Sequence, residues 1–224
     1  MCVEVKRIKE EYQYDFSSLL INEKTGIEAK NKINTRLEEM AETLLNNILD
    51  NKNYKIEAIK DNAVAIPIIG ISNHFGFLNY DTDFDSFADG KYKNASGLII
   101  ISNEMNEILG SDKVLLLSDK ETLEHSRFTI AHELGHYLFD FNEKKDYQFI
   151  NFYRTEDTFK NSKEIRASRF AAALLMPKGK FIEEYNKVKE SVYYDRVNIL
   201  AKIFIVSPTA IDLRIKELKE LNLI

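Results

Sequence analysis

His132-Glu133-Leu134-Gly135-His136 sets two imidazoles four positions apart with a carboxylate between them. On a helix, residues four apart lie one turn above each other, so both rings face the same way and can grip one metal ion. Glu133 then projects beside the ion without being a ligand. There it is placed to take a proton from an attacking water and pass it to the leaving amine. This is peptidase chemistry, and the H-E-x-x-H pattern carries that meaning only inside a helix. The chain has just four histidines, so two of them at ligand spacing is a specific signal. Catalytic zinc takes three protein ligands and keeps one position open. The candidate third ligand is Glu164, at the start of a second helical pattern. Zn2+ is the expected cofactor, with another divalent ion such as Mn2+ as the alternative.

These residues need elements to hold them. Ser118-Asp119-Lys120-Glu121 fits a capping box and predicts a helix through about residue 141, which carries the motif. Its apolar stripe is Leu123, Ile130, Leu134, Leu138 and Phe141. A second helix is predicted over residues 162–176, stopped by Pro177. It is apolar on nearly every side, with three consecutive alanines at 171–173 that permit close approach to a neighbour, so Glu164 in its first turn can be held against the motif helix. Upstream, residues 28–50 read as an amphipathic helix through Ile33, Leu37, Met40, Leu44, Leu45 and Ile48. Residues 54–71 read as two β-type stretches, one alternating over 55–59 and one apolar over 63–71. Residues 81–95 are a polar loop and 97–101 a buried strand, while the aromatic stretch 147–159 reads as irregular.

Two blocks of residues resemble the ImmA/IrrE family of zinc metallopeptidases. The first is Arg127-Phe128-Thr129-Ile130-Ala131 running into His132–His136. The second is Glu164-x-x-Ala167-x-x-Phe170-Ala171-x-x-Leu174-Leu175-Met176-Pro177. Ser168 stands where the family usually has Asn, and Asp140 where a His often follows the motif. The resemblance implies a gluzincin-like site in which His132, His136 and Glu164 bind the metal and Glu133 is the general base. It also implies an intracellular, cytoplasmic enzyme, and a protein substrate such as a helix-turn-helix transcriptional repressor whose cleavage relieves repression. The rival expectation is a weak or inactive member acting as a regulatory or antitoxin-like binding protein. An intact Glu133 argues against it, because binding alone needs no base.

The expected fold is α+β: a small, twisted, zincin-like sheet beside the active-site helices, with helical additions at both ends. Residues 1–190 are read as the metallopeptidase domain with an N-terminal helical region. Residues 191–224 are read as a helix-turn-helix-like segment, with Ser207 as N-cap and Pro208 as first helical residue. The charges after Pro208 balance and the chain as a whole carries −5, so direct DNA binding is not expected. No apolar run is long enough to span a bilayer. A single cysteine, Cys2, excludes an internal disulfide. His74 and His125 are weighed as possible oxyanion stabilisers, and Asp140 as an acceptor for the far ring nitrogen of His136. The strand at 97–101 is either plain core, as its apolar run reads, or the strand onto which a peptide adds, and resemblance to zincin architecture favours an edge strand above the active-site helix.

Overall fold

A computed structural model describes Leu20 and residues 25–49, 64–141, 148–153 and 162–224. The described elements, in order, are α1 (Ile27–Leu49), α2 (Ile68–His74), β1 (Leu78–Thr82), β2 (Gly97–Ser102), α3 (Asn103–Leu109), β3 (Lys113–Ser118), α4 (Leu123–Phe139), β4 (Gln148–Tyr153), α5 (Ser162–Leu175), α6 (Lys178–Val188), α7 (Tyr193–Phe204) and α8 (Pro208–Glu220). A short 3₁₀ turn covers Phe87–Gly90. The fold is α+β with helical extensions, as expected.

The sheet has the order β1-β3-β2-β4, with β1 parallel to β3 and the other pairs antiparallel. Successive side chains of a strand point to opposite faces. Ile99, Ile101, Leu115 and Leu117 accordingly enter the main core, whereas Leu98, Val114 and Leu116 join Phe84, Tyr92 and Ala95 in a smaller cluster on the other face. With both faces covered, β2 and β3 read as continuous apolar runs rather than as alternation. The motif helix α4 lies against β2, β3 and β4 on one side and α5 on the other, and α1 packs on α5. Helix α4 is therefore central. Its residues from Thr129 to Phe139 are all buried.

Several boundaries differ from expectation. The apolar run 63–71 is no strand in its described part. Pro67, lacking an N–H, precedes helix α2, whose Ile68 and Ile71 are buried. The alternating stretch at 55–59 and Cys2 lie outside the described residues. The capping box at Ser118 does not form, because Ser118 is the last residue of β3 and its Oγ accepts from Lys120 N in a local turn. Thr122 caps α4 instead, its Oγ1 accepting from His125 N. The aromatic stretch contains strand β4, which pairs residue for residue with β2, and this places β2 inside the sheet. Both edges of β2 are hydrogen-bonded, so residues 97–101 are core and offer no free edge to a peptide.

At the C-terminal end Ser207 Oγ accepts from Ala210 N and Pro208 opens α8, as the sequence indicates. Ile205 joins α7 to α8 with φ of +52°, a conformation that a β-branched residue rarely adopts. Its carbonyl accepts from Arg127 Nε at 3.1 Å, and Arg127 Nη2 donates to Ile66 O at 2.9 Å. The arginine just ahead of the motif is thus a tie between α4, the α7–α8 turn and the segment leading into α2.

Candidate metal centre

The backbone sets the spacing of the site at two small residues. A Cβ on Gly135 would lie 3.2 Å from the Ala167 Cα, so α4 and α5 meet there closer than most side chains allow. That approach brings the first turn of α5, with Glu164, over the imidazoles of α4. A Cβ on Gly97 would lie 2.3 Å from Thr129 Cγ2 and 3.8 Å from Glu133 Cγ, so β2 rests directly on the Thr129–Glu133 face. Gly97→Ala is expected to cost about 1–3 kcal/mol, as overpacking of a filled core does. A thermal melt unchanged from the parent protein would contradict this packing.

His132, Glu133 and His136 are 0%, 0% and 2% exposed, and Glu164 is 8% exposed. Burying so many ionisable groups is costly unless they are paired or bind an ion. His132 Nε2 and His136 Nε2 lie 3.0 Å apart. The Glu164 carboxylate reaches both, Oε2 at 3.0 Å from His132 Nε2 and Oε1 at 3.2 Å from His136 Nε2. The far nitrogens are engaged elsewhere. His136 Nδ1 faces Asp140 Oδ2 at 2.8 Å, and His132 Nδ1 lies 3.1 Å from Ser168 Oγ. An ionised carboxylate only accepts, so His136 carries its hydrogen at Nδ1. Ser168 can accept likewise from His132 Nδ1.

When neither Nε2 carries a hydrogen, two ring lone pairs and a carboxylate converge on one point, an arrangement that is repulsive until a cation, a proton or a metal ion, sits within it. Two nitrogens about 2.05 Å from a tetrahedral zinc would stand about 3.3 Å apart, close to the separation present. The residues fit a divalent ion. Among the described residues His132, His136 and Glu164 are the group able to hold one, with candidate ligand atoms all within 4.8 Å of one another.

The electrostatics agree. Burial, reinforced by the nearby His136 charge, pushes His132 down to about 4. Burial opposes charge on His136 as well, but its hydrogen bonds with Asp140 and Glu164 outweigh this and raise it to about 9. Glu164 is held at about 2, because both imidazoles overcome the effect of burial. The group thus retains one positive charge, a proton on His136, and a metal ion bound at the Nε2 atoms takes its place.

His132, His136 and Glu164 come together here, and Glu133 is buried beside His132 on the same helix, against Gly97. His125 does not join them. Its Nδ1 contacts Glu121 Oε2 at 2.9 Å, and Ser96 Oγ donates to the other Glu121 oxygen at 3.0 Å. It lies about 10 Å from His132 along the helix axis, too far to reach the oxyanion. His74, at the end of α2, stacks edge-on against Phe75 and is likewise outside the metal group. Ser168 and Arg166 were not anticipated as contacts. Ser168 was readable, since it lies one helical turn beyond Glu164 and shares its face. Arg166, which donates to Asp140 Oδ1 at 2.9 Å, left no such signal.

The centre is of the class in which two histidines one helical turn apart and a glutamate from a second helix bind a metal. The Peptidase_M78 family, described as the IrrE N-terminal-like domain, matches residues 79–216, more than half of the chain. The chain belongs to this family, a metal-dependent peptidase family, and the earlier resemblance holds. No curated protein matches it. Among the described residues no helix is long and apolar enough to cross a membrane.

Proposed function

We propose that this protein is an intracellular, cytoplasmic zinc-dependent endopeptidase that cleaves a helix-turn-helix transcriptional repressor and so relieves repression. The observation that carries the catalytic part is the convergence of His132 Nε2, His136 Nε2 and a Glu164 carboxylate oxygen, with Glu133 buried on the same helix. Zinc bound there would act as a Lewis acid on the scissile carbonyl and on water. Glu133 accepts the proton of the attacking water and returns it to the departing amine. Asp140 and Ser168 orient the two imidazoles, and the close approach at Gly135 keeps Glu164 within reach of both. Gly97 and β2 close the site over Glu133 and limit access of bulk water to it.

The substrate part rests on the family resemblance and on a selectivity argument. A metal and a base do not distinguish one peptide bond from another, so discrimination comes from surfaces outside the centre. Helices α7 and α8 offer such a surface, with Tyr193, Tyr194, Asp212, Lys216 and Lys219 exposed. The test has two arms. Protein purified without chelators is expected to hold about one zinc per chain, and His132→Ala or His136→Ala to lose most of it by metal analysis. The zinc-loaded protein is then incubated with the repressor encoded by a neighbouring gene and followed by mass spectrometry. Discrete fragments support the reading. An intact repressor alongside cleavage of unfolded proteins would replace the substrate with a general one.

A further inference from the structure

We propose that Asp140 and Arg166 form a bridge that sets how tightly this centre holds its metal, with Arg166 acting through Asp140 and not through the fold alone. The inference rests on the metal-site reading above. Asp140 caps the C-terminus of α4 and uses its two oxygens differently. Oδ2 accepts from His136 Nδ1 at 2.8 Å, while Oδ1 accepts from Arg166 Nη2 at 2.9 Å and lies 3.0 Å from Lys163 Nζ. Arg166 is 2% exposed, and its guanidinium lies over the Phe139 ring, 4.8 Å from the centroid. It stands two residues after Glu164 on α5. One carboxylate therefore joins the ring of one ligand to the helix that supplies another.

The arrangement has a chemical consequence. A carboxylate accepting from the far nitrogen of an imidazole fixes the tautomer and makes the metal-facing nitrogen a better donor. A lone aspartate at a helix end can turn either oxygen toward solvent or toward the ring. The guanidinium at Oδ1, itself fixed against Phe139, keeps Oδ2 on His136. The corresponding contact of His132 is to the neutral Ser168 hydroxyl at a longer 3.1 Å. Charge-assisted hydrogen bonds are roughly twice as strong as neutral ones. The support of the two rings is therefore unequal, and His136 is the anchoring ligand.

The test measures zinc affinity of the full-length protein by competition with a chromophoric chelator. Asp140→Asn is expected to weaken binding about 10–100-fold, the range found when such partners are removed. Ser168→Ala is expected to weaken it less than about threefold, in keeping with a neutral contact. Arg166→Gln is expected to weaken it by about tenfold, and Arg166→Lys to restore most of that loss. The deciding comparison is the double variant. In the Asp140→Asn background, Arg166→Gln is expected to add less than about twofold, because the route through the carboxylate is already gone. Losses that multiply would show that Arg166 acts on the fold alone, and an unchanged affinity in Asp140→Asn would overturn the bridge. If Arg166→Gln fails to fold by circular dichroism, Arg166→Met, which keeps an apolar stem against Phe139 and removes the guanidinium, supplies the same comparison in both backgrounds. A parent protein that takes up no zinc overturns the metal reading itself, an outcome distinct from both.

Discussion

Glu133→Gln is expected to slow peptide hydrolysis by about 10²–10⁴-fold, the usual contribution of a general base, while zinc content and melting temperature stay near those of the parent. Glutamine has the size and shape of glutamate, so the packing of Glu133 under Gly97 is kept. Glu133 lies outside the His132–His136–Glu164 group, so the ligands keep their geometry. The change removes only the ability to accept a proton. Metal analysis, a thermal melt and steady-state kinetics on one preparation separate the effects. Turnover close to the parent's would mean that the base lies elsewhere, and loss of metal together with activity would give Glu133 a structural role.

A second large effect is expected far from the centre. Arg214 is fully buried on α8, and both oxygens of Glu38 on α1 accept from its guanidinium. Arg214 also donates to Met176 O from Nε at 3.1 Å and Nη2 at 2.8 Å. Removing the nearer partner leaves the buried guanidinium, among the described residues, with only Glu217 as a counter-charge, whose Oε2 lies 3.6 Å from Nη1, and costs about 3–5 kcal/mol, whereas replacing both members with apolar groups is often neutral or better. Glu38→Ala is therefore expected to lower unfolding free energy by about 3–5 kcal/mol in urea titrations. Glu38→Leu combined with Arg214→Met is expected to recover most of it. Equal losses in the single and double variants would show that the ion pair is not what holds α1 in place.

The centre was more legible in the sequence than the sheet beneath it. His132, Glu133 and His136 are legible because four-residue spacing on a helix is a local property, and α4 supplies that helix. Glu164 lies in a different helix, yet its position at the head of an all-round apolar segment was enough to place it. Strand β1 was hidden because Leu78–Thr82 has no fully buried residue, and its last two positions fall in the polar stretch 81–95. Strand β3 was hidden for the opposite reason, since Lys113–Ser118 is buried along its whole length and shows no period. At residues 63–71 apolar content alone does not separate a short helix from a strand, and Pro67 was the overlooked cue. Lys113 itself is buried, with Nζ donating to Phe75 O and Tyr137 Oη, a contact set by tertiary packing alone.

The seam between α1 and α8 also sets how non-local the fold is. Glu38 and Arg214 are 176 positions apart, and Lys30 meets Glu220 at 2.9 Å, so two helices distant in the sequence must find each other. Closing so long a loop costs chain entropy that no local contact returns, and folds rich in such pairings form slowly. Leu37, Met40, Leu44 and Ile48 belong to the main core, and the principal helix packed on α1 is α5, more than 110 positions downstream. Helix α5, which bears Glu164, acquires its outer layer only when α1 docks. The placement of Glu164 thus depends on a contact between segments far apart in the sequence.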